Sequence, residues 1–183
     1  MRSKPVDEEL INLMRQRVAS VSVGPSTARG MGPKGTIAAA RAYLASLDLH
    51  RFAVHSEADF KAVLNRSTHA FVKKMPRRAQ YWGACRKFLN IFLRDVVYQK
   101  YLVEHYRLHA IEPWLEVPMD SHVAKRLRRE PEGRTAVPPW RTVIGLDART
   151  NTKYQKFASV VADRRGIKRV HLDVIYWRRV NDD

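Results

Sequence analysis

The chain has a single cysteine, Cys85, among 183 residues. One thiol excludes an intramolecular disulfide framework, a cysteine-rich zinc site and a four-cysteine iron-sulfur cluster. Because Cys85 falls on the apolar side of a helical pattern, it reads as a buried structural thiol. Long apolar runs are missing as well. No stretch has the length of a bilayer-crossing helix, and Asp7, Glu8 and Glu9 stand where a signal peptide would carry its apolar core. Acidic residues are scarce: 18 Asp and Glu are set against 34 Lys and Arg, for a formal charge of +16. Such a field attracts polyanions, and nucleic acid is the commonest polyanion that a basic domain meets. A cytoplasmic, nucleoid-associated location without membrane contact is the corresponding expectation. The 45% hydrophobic content is sufficient to build one globular domain over residues 1–183. No coiled-coil heptad run appears, so a monomer is the default.

Helical periodicity runs from end to end and strands are hard to find, which predicts an all-α domain of about seven helices. Pro5 and the acidic residues after it read as a helix first turn, with Leu10, Leu13, Met14 and Val18 as its apolar stripe. Glycines and prolines mark 24–35 as a loop, expected to be mobile. A second helix is predicted over Thr36–Ser46. Ser56-Glu57-Ala58-Asp59 has the form of a capping box and opens a third, which Pro76 interrupts. The longest amphipathic element is predicted from about Arg78 to Arg107. Beyond it come a short basic helix after Asp120, a basic loop over 128–140, a helix capped by Thr150 or Asn151 and ended by Gly166, and a last helix from Val170 with Arg178 and Arg179 at its end.

On a helical wheel the long element puts Tyr81, Cys85, Phe88, Leu89, Phe92 and Val96 on one side and Lys87 opposite them. Around Lys87 fall Gly83, Asn90, Arg94 and Tyr98, a mixture that suits either a cleft wall or a solvated cationic face. Asp120, at the head of the next helix, also has two readings. It is a good N-cap, and it can serve as a catalytic carboxylate. A neutral lysine amine can attack the C1′ of a nucleotide, expel the base and form a Schiff base while an aspartate steadies the positive charge on the sugar. Metal-dependent phosphodiester cleavage is a poorer fit, since Glu112 and Glu116 are the only acids close to Asp120.

Val117-Pro118-Met119-Asp120-Ser121-His122-Val123 resembles the Val-Asp-Thr-His-Val segment of the helix-hairpin-helix (HhH-GPD) superfamily of DNA glycosylases. That resemblance implies Asp120 as the catalytic carboxylate and Lys87 as the Schiff-base lysine of the bifunctional glycosylase and AP-lyase members, including those acting on 8-oxoguanine. His171-Leu172-Asp173-Val174-Ile175-Tyr176-Trp177 looks like the closing helix of archaeal 8-oxoguanine glycosylases. The superfamily's Leu-Pro-Gly-x-Gly hairpin has no clear copy; Met75-Pro76-Arg77-Arg78-Ala79-Gln80-Tyr81-Trp82-Gly83 stands in its place, and the hairpin of the archaeal branch is likewise altered. The interval from Lys87 to Asp120 is also longer than in typical members.

The activity implied is excision of a modified base, such as an oxidised purine, from double-stranded DNA without metal or organic cofactor. His122, Asn90 and Arg94 are expected to support catalysis. Trp82, Tyr98, Trp140 and Trp177 are candidates for stacking a flipped base, each with a core role as its alternative. Arg77, Arg78, Lys125, Arg126, Arg128 and Arg129 flank the two active-site elements as candidate phosphate contacts. Two alternatives stay open: a monofunctional glycosylase using Asp120 and water, and a non-catalytic basic nucleic-acid-binding protein in which Asp120 only caps a helix.

Overall fold

The computed structural model describes residues 7–177, and every regular element within them is helical. Nine α-helices occur among these residues: α1 Glu8–Ser22, α2 Thr36–Ser46, α3 Glu57–Lys74, α4 Trp82–Val97, α5 Lys100–Tyr106, α6 Ser121–Arg129, α7 Gly133–Ala136, α8 Ala148–Arg164 and α9 Leu172–Tyr176. The expectations for Pro5, Arg178 and Arg179 lie outside the described residues.

Local chemistry sets most boundaries. Asp7 caps α1 by accepting the Glu9 N–H. Ser56 caps α3 through the Asp59 N–H at 3.1 Å, and its hydroxyl donates to the Asp59 carboxylate at 2.7 Å, a variant of the expected capping box. The α8 cap is Asp147, not Thr150 or Asn151: its carboxylate accepts the Thr150 N–H, so the helix starts one turn earlier. The predicted helix over 78–107 is broken into pieces. Pro76 leads into a 3-10 turn, Arg77–Ala79, before α4. At the other end Gln99 is extended, and α5 turns back so that Leu102 and Tyr106 reach the core, which a straight continuation would miss. The α1 stripe also differs from expectation. Ile11 and Val18 are buried while Leu10 and Leu13 are exposed, because α1 turns the Ile11 line toward α2 and α4.

The apolar residues form two clusters. One gathers α1 to α5 around Phe60, Phe71, Phe88 and Phe92; the other gathers α6, α8 and α9 around Tyr154, Phe157 and Val161. The segment Leu115–Asp120 runs from the first cluster to the second. α4 lies between them, with its aromatic side in the first cluster and its Lys87 side covered. Gly83 is required for that cover: a Cβ there would stand 2.1 Å from the Val143 carbonyl oxygen. Lys87 and Asn90 are both buried, so the solvated reading of this face does not hold. The 24–35 loop is pinned by Ala28 and Met31, which sit in the first core, and by Arg41, which donates to the Val23 carbonyl at 2.8 Å.

Candidate active site

Lys87 is 7% exposed, and its ammonium nitrogen lies 3.4 Å from Asp120 Oδ2. The two side chains come from different helices, and their meeting follows from the Leu115–Asp120 segment running back past α4. The other Asp120 oxygen, Oδ1, accepts the Val123 N–H at 3.0 Å. The capping and site readings of Asp120 therefore coexist on separate oxygens. A second contact of the Lys87 nitrogen, also 3.4 Å, is to the Thr27 carbonyl of the 24–35 loop. Both contacts are long for a charge-assisted hydrogen bond, which leaves the amine loosely held.

A second carboxyl completes the cluster. Asp173, buried in α9, pairs with Arg94, which lies two turns from Lys87 on the same face of α4. Arg94 also holds Asp95 at 2.7 Å, and Asp95 in turn takes the Ser22 hydroxyl at 2.9 Å. Burial pushes the Asp173 carboxyl up to about 6, with Asp120 and Asp95 adding to the rise and Arg94 and Lys87 opposing it. A carboxyl poised there can donate as well as accept a hydrogen bond near neutral pH. Sequence reasoning did not assign Asp173 a role. The available signal was one acid set among Leu172, Val174 and Ile175, an apolar setting that asks for a partner.

The remaining expected residues divide into those near this cluster and those engaged elsewhere. Arg94 belongs to it through Asp173. Asn90 is engaged elsewhere: its amide donates to Glu116 at 3.2 Å, and its buried Oδ1 has no partner among the described residues. His122 is exposed on α6, and the Val123 N–H, not the imidazole, orients the Asp120 carboxylate. Trp82 is half-buried against the second core with the Arg86 guanidinium 5.4 Å from its ring centre. Trp140 packs edge-on against Tyr154 and is half-buried against both cores. Trp177 is 65% exposed and Tyr98 45% exposed. The Tyr98 hydroxyl meets His171 Nδ1 at 2.8 Å, and His171 Nε2 meets Glu112 at 3.1 Å, forming a separate polar chain. Arg77, Arg78, Lys125 and Arg129 are exposed and Arg126 is half-buried. Arg128 is spent on structure, since it donates to the Val137 carbonyl at 2.9 Å. Among the described residues no group of three or more His, Cys, Asp or Glu side chains is arranged to hold a metal ion, and no helix is long and apolar enough to cross a membrane.

No family model, curated protein or solved structure matches the chain. What the site can do therefore rests on its own geometry. A buried amine lies beside one carboxylate that accepts a backbone N–H, with a second carboxyl and a guanidinium nearby. Such an arrangement offers a nucleophile, a group that stabilises developing positive charge, and donors and acceptors for a polar ligand.

Proposed function

We propose that the chain is a DNA glycosylase with AP-lyase activity that removes a modified base from duplex DNA. The observation that carries the reading is the buried Lys87 nitrogen 3.4 Å from Asp120 Oδ2. In this reading Lys87 first loses its extra proton to water, and the lone pair of the neutral amine then forms a bond to C1′ of the flipped nucleotide as the glycosidic bond breaks. The departing base keeps that bond's electron pair and takes up a proton. The attacking nitrogen loses a proton and the sugar ring opens, giving a Schiff base between Lys87 and C1′. Loss of a C2′ proton then expels the 3′ phosphate. Asp120 Oδ2 faces the positive charge that develops on the sugar as the base leaves.

The environment supports the same reading. The formal charge of +16 favours a polyanionic substrate, and Arg77, Arg78, Lys125, Arg126 and Arg129 offer cations for its phosphates. Tyr98 and Trp177 present aromatic surface for an unstacked base. Asp173 and Arg94 supply a donor and acceptor pair for its polar edge.

The test is base release from duplex oligonucleotides carrying 8-oxoguanine, uracil, an alkylated base or an abasic site. Excision should fall by about two orders of magnitude or more in Asp120→Asn, the scale of one lost electrostatic contact to a transition state, with DNA binding retained. Cleavage by Asp120→Asn at the parent rate would remove Asp120 from the mechanism. Salt-sensitive DNA binding without base release on any substrate would leave a binding protein in which Asp120 is only a cap.

A further inference from the structure

A cavity of about 320 Å³ opens between α3 and α8 and contains neither Lys87 nor Asp120. Three cations line it: Lys61 from α3, Lys156 from α8 and Arg169 from the turn before α9. Lys61 and Lys156 are exposed, and neither forms an ion pair among the described residues. Arg169 is anchored, donating to the Leu115 carbonyl at 2.8 Å, the Trp114 carbonyl at 2.7 Å and the Ser159 hydroxyl at 3.3 Å, which leaves one N–H on each terminal nitrogen. Two carboxylates also line the space. Glu116 is already engaged by Arg86, and Glu57, 64% exposed, reaches Arg169 only at 3.8 Å. Burial consequently outweighs both acids and pushes the Arg169 guanidinium below its usual value, with Arg86 adding to the fall. Next to these cations stand the rings of Trp114 and Phe60, whose centres are 6.2 Å apart, and the side chains of Thr152 and Ser159.

We propose that this cavity is a second binding site, separate from Lys87 and Asp120, for a phosphate-bearing ligand of about nucleotide size. The phosphate lies among Lys61, Lys156 and Arg169, and the organic part lies against Trp114. A planted guanidinium with two flexible ammonium groups at its rim is a phosphate-binding set, because the rigid donor orients the anion while the lysines add charge. The volume lies at the lower end of the range for small-molecule sites. The aromatic wall is what distinguishes a nucleotide from a bare anion. The phosphate belongs either to a free nucleotide or to the backbone of a strand.

The test uses the full chain labelled with ¹⁵N and titrated with adenosine monophosphate, inorganic phosphate, adenosine and a short single-stranded oligonucleotide. The Trp114 indole signal, assigned through Trp114→Phe, and the α3 and α8 amides report occupancy. Adenosine monophosphate should shift these signals saturably, phosphate should shift the α3 and α8 amides more weakly, and adenosine should shift nothing. Lys61→Glu with Lys156→Glu, both exposed and tested for unchanged thermal unfolding, should weaken binding by about tenfold or more, as expected for loss of charge-assisted contacts. If only the oligonucleotide shifts the signals and the charge reversal abolishes the effect, the phosphate is that of a strand. No response to any phosphate compound, an equal response to adenosine, or binding unaffected by the charge reversal would overturn the site. None of these readouts depends on base excision, so failure here and failure of the glycosylase reading are distinguishable.

Discussion

Arg86 and Lys87 are adjacent on α4, and each meets a carboxylate from the same extended segment, yet the two pairs are built for opposite ends. Arg86 closes a fork on Glu116 with two 2.8 Å bonds and adds Thr68 and Asn65 on its remaining nitrogen. Glu116 is completed by Asn151 at 3.0 Å and Asn90. Burial works to raise the Glu116 carboxyl, but Arg86, the Asn151 amide and Arg169 outweigh it and hold it at about 2. One residue along, Lys87 has a single carboxylate oxygen and one carbonyl, each 3.4 Å away. A closed bidentate pair fixes the join between the two cores. An amine held at longer range by two oxygens keeps the freedom that the proposed nucleophilic role needs.

The comparison breaks most visibly in stability. Removing one partner of the closed pair, as in Glu116→Gln or Arg86→Met, should destabilise the protein by about 3 kcal/mol or more, because a buried charge or fork is left without its partner. Lys87→Met should cost about 1 kcal/mol or less, since Asp120 keeps its cap and the aliphatic stem is replaced. Denaturant unfolding of the three variants at neutral pH measures the gap. Equal losses would mean that the two pairs are both structural.

Acid sharpens the same contrast. Glu116 is lowered from 4.5 to about 2 in the folded chain, so its stabilisation is present above its unfolded value and is lost as pH falls from 4.5 through 2. The loss is about 3 kcal/mol in all. Asp173 is raised from 3.8 to about 6, so its contribution has the opposite sign: fully present below 3.8 and lost as pH rises through 6. Unfolding measured from pH 2 to 8 should therefore show an acid limb that is missing in Glu116→Gln. In Asp173→Asn the decline of the parent between pH 4 and 7 should be reduced.

Smaller effects separate capping from chemistry at Asp120. Asp120→Ala should cost about 1 kcal/mol through loss of the Val123 bond, whereas Asp120→Asn, a good cap in its own right, should cost only a few tenths. A paired thermal melt decides this, and excision must be lost in both if Oδ2 acts on the sugar. The smallest contrast lies in α6. Arg128→Ala should lower stability by about 1 kcal/mol because the Val137 carbonyl loses its donor. Arg129→Ala should leave stability unchanged and reduce the salt slope of DNA binding by about 1.

The sequence showed the helices best where caps and apolar spacing agree. α2 and α3 lie where the pattern puts them, and the Lys87 and Asp120 faces were legible because a helical wheel and a cap signal use only local information. The α1 stripe was misread because Leu10, Leu13 and Ile11 are equally apolar and only the position of α2 and α4 chooses among them. The break at Gln99 carries no proline or glycine, so nothing local announces it. Glu116, Asn90 and Asn151 come from three distant stretches, and their network exists only after the chain folds. The tie of Asn90 to Glu116 was accordingly not legible in the sequence. Asp173 was overlooked for the same reason, since its meaning depends on Arg94 and Asp120 approaching it.

The most direct measurement of the central claim is borohydride trapping on a duplex oligonucleotide with an abasic site, comparing the parent with Lys87→Ala. A covalent protein–DNA adduct is expected in the parent and none in Lys87→Ala, with the variant folded by thermal melt. An adduct that forms equally well without Lys87, or no adduct in the parent, would contradict the assignment of the α4 amine as the nucleophile.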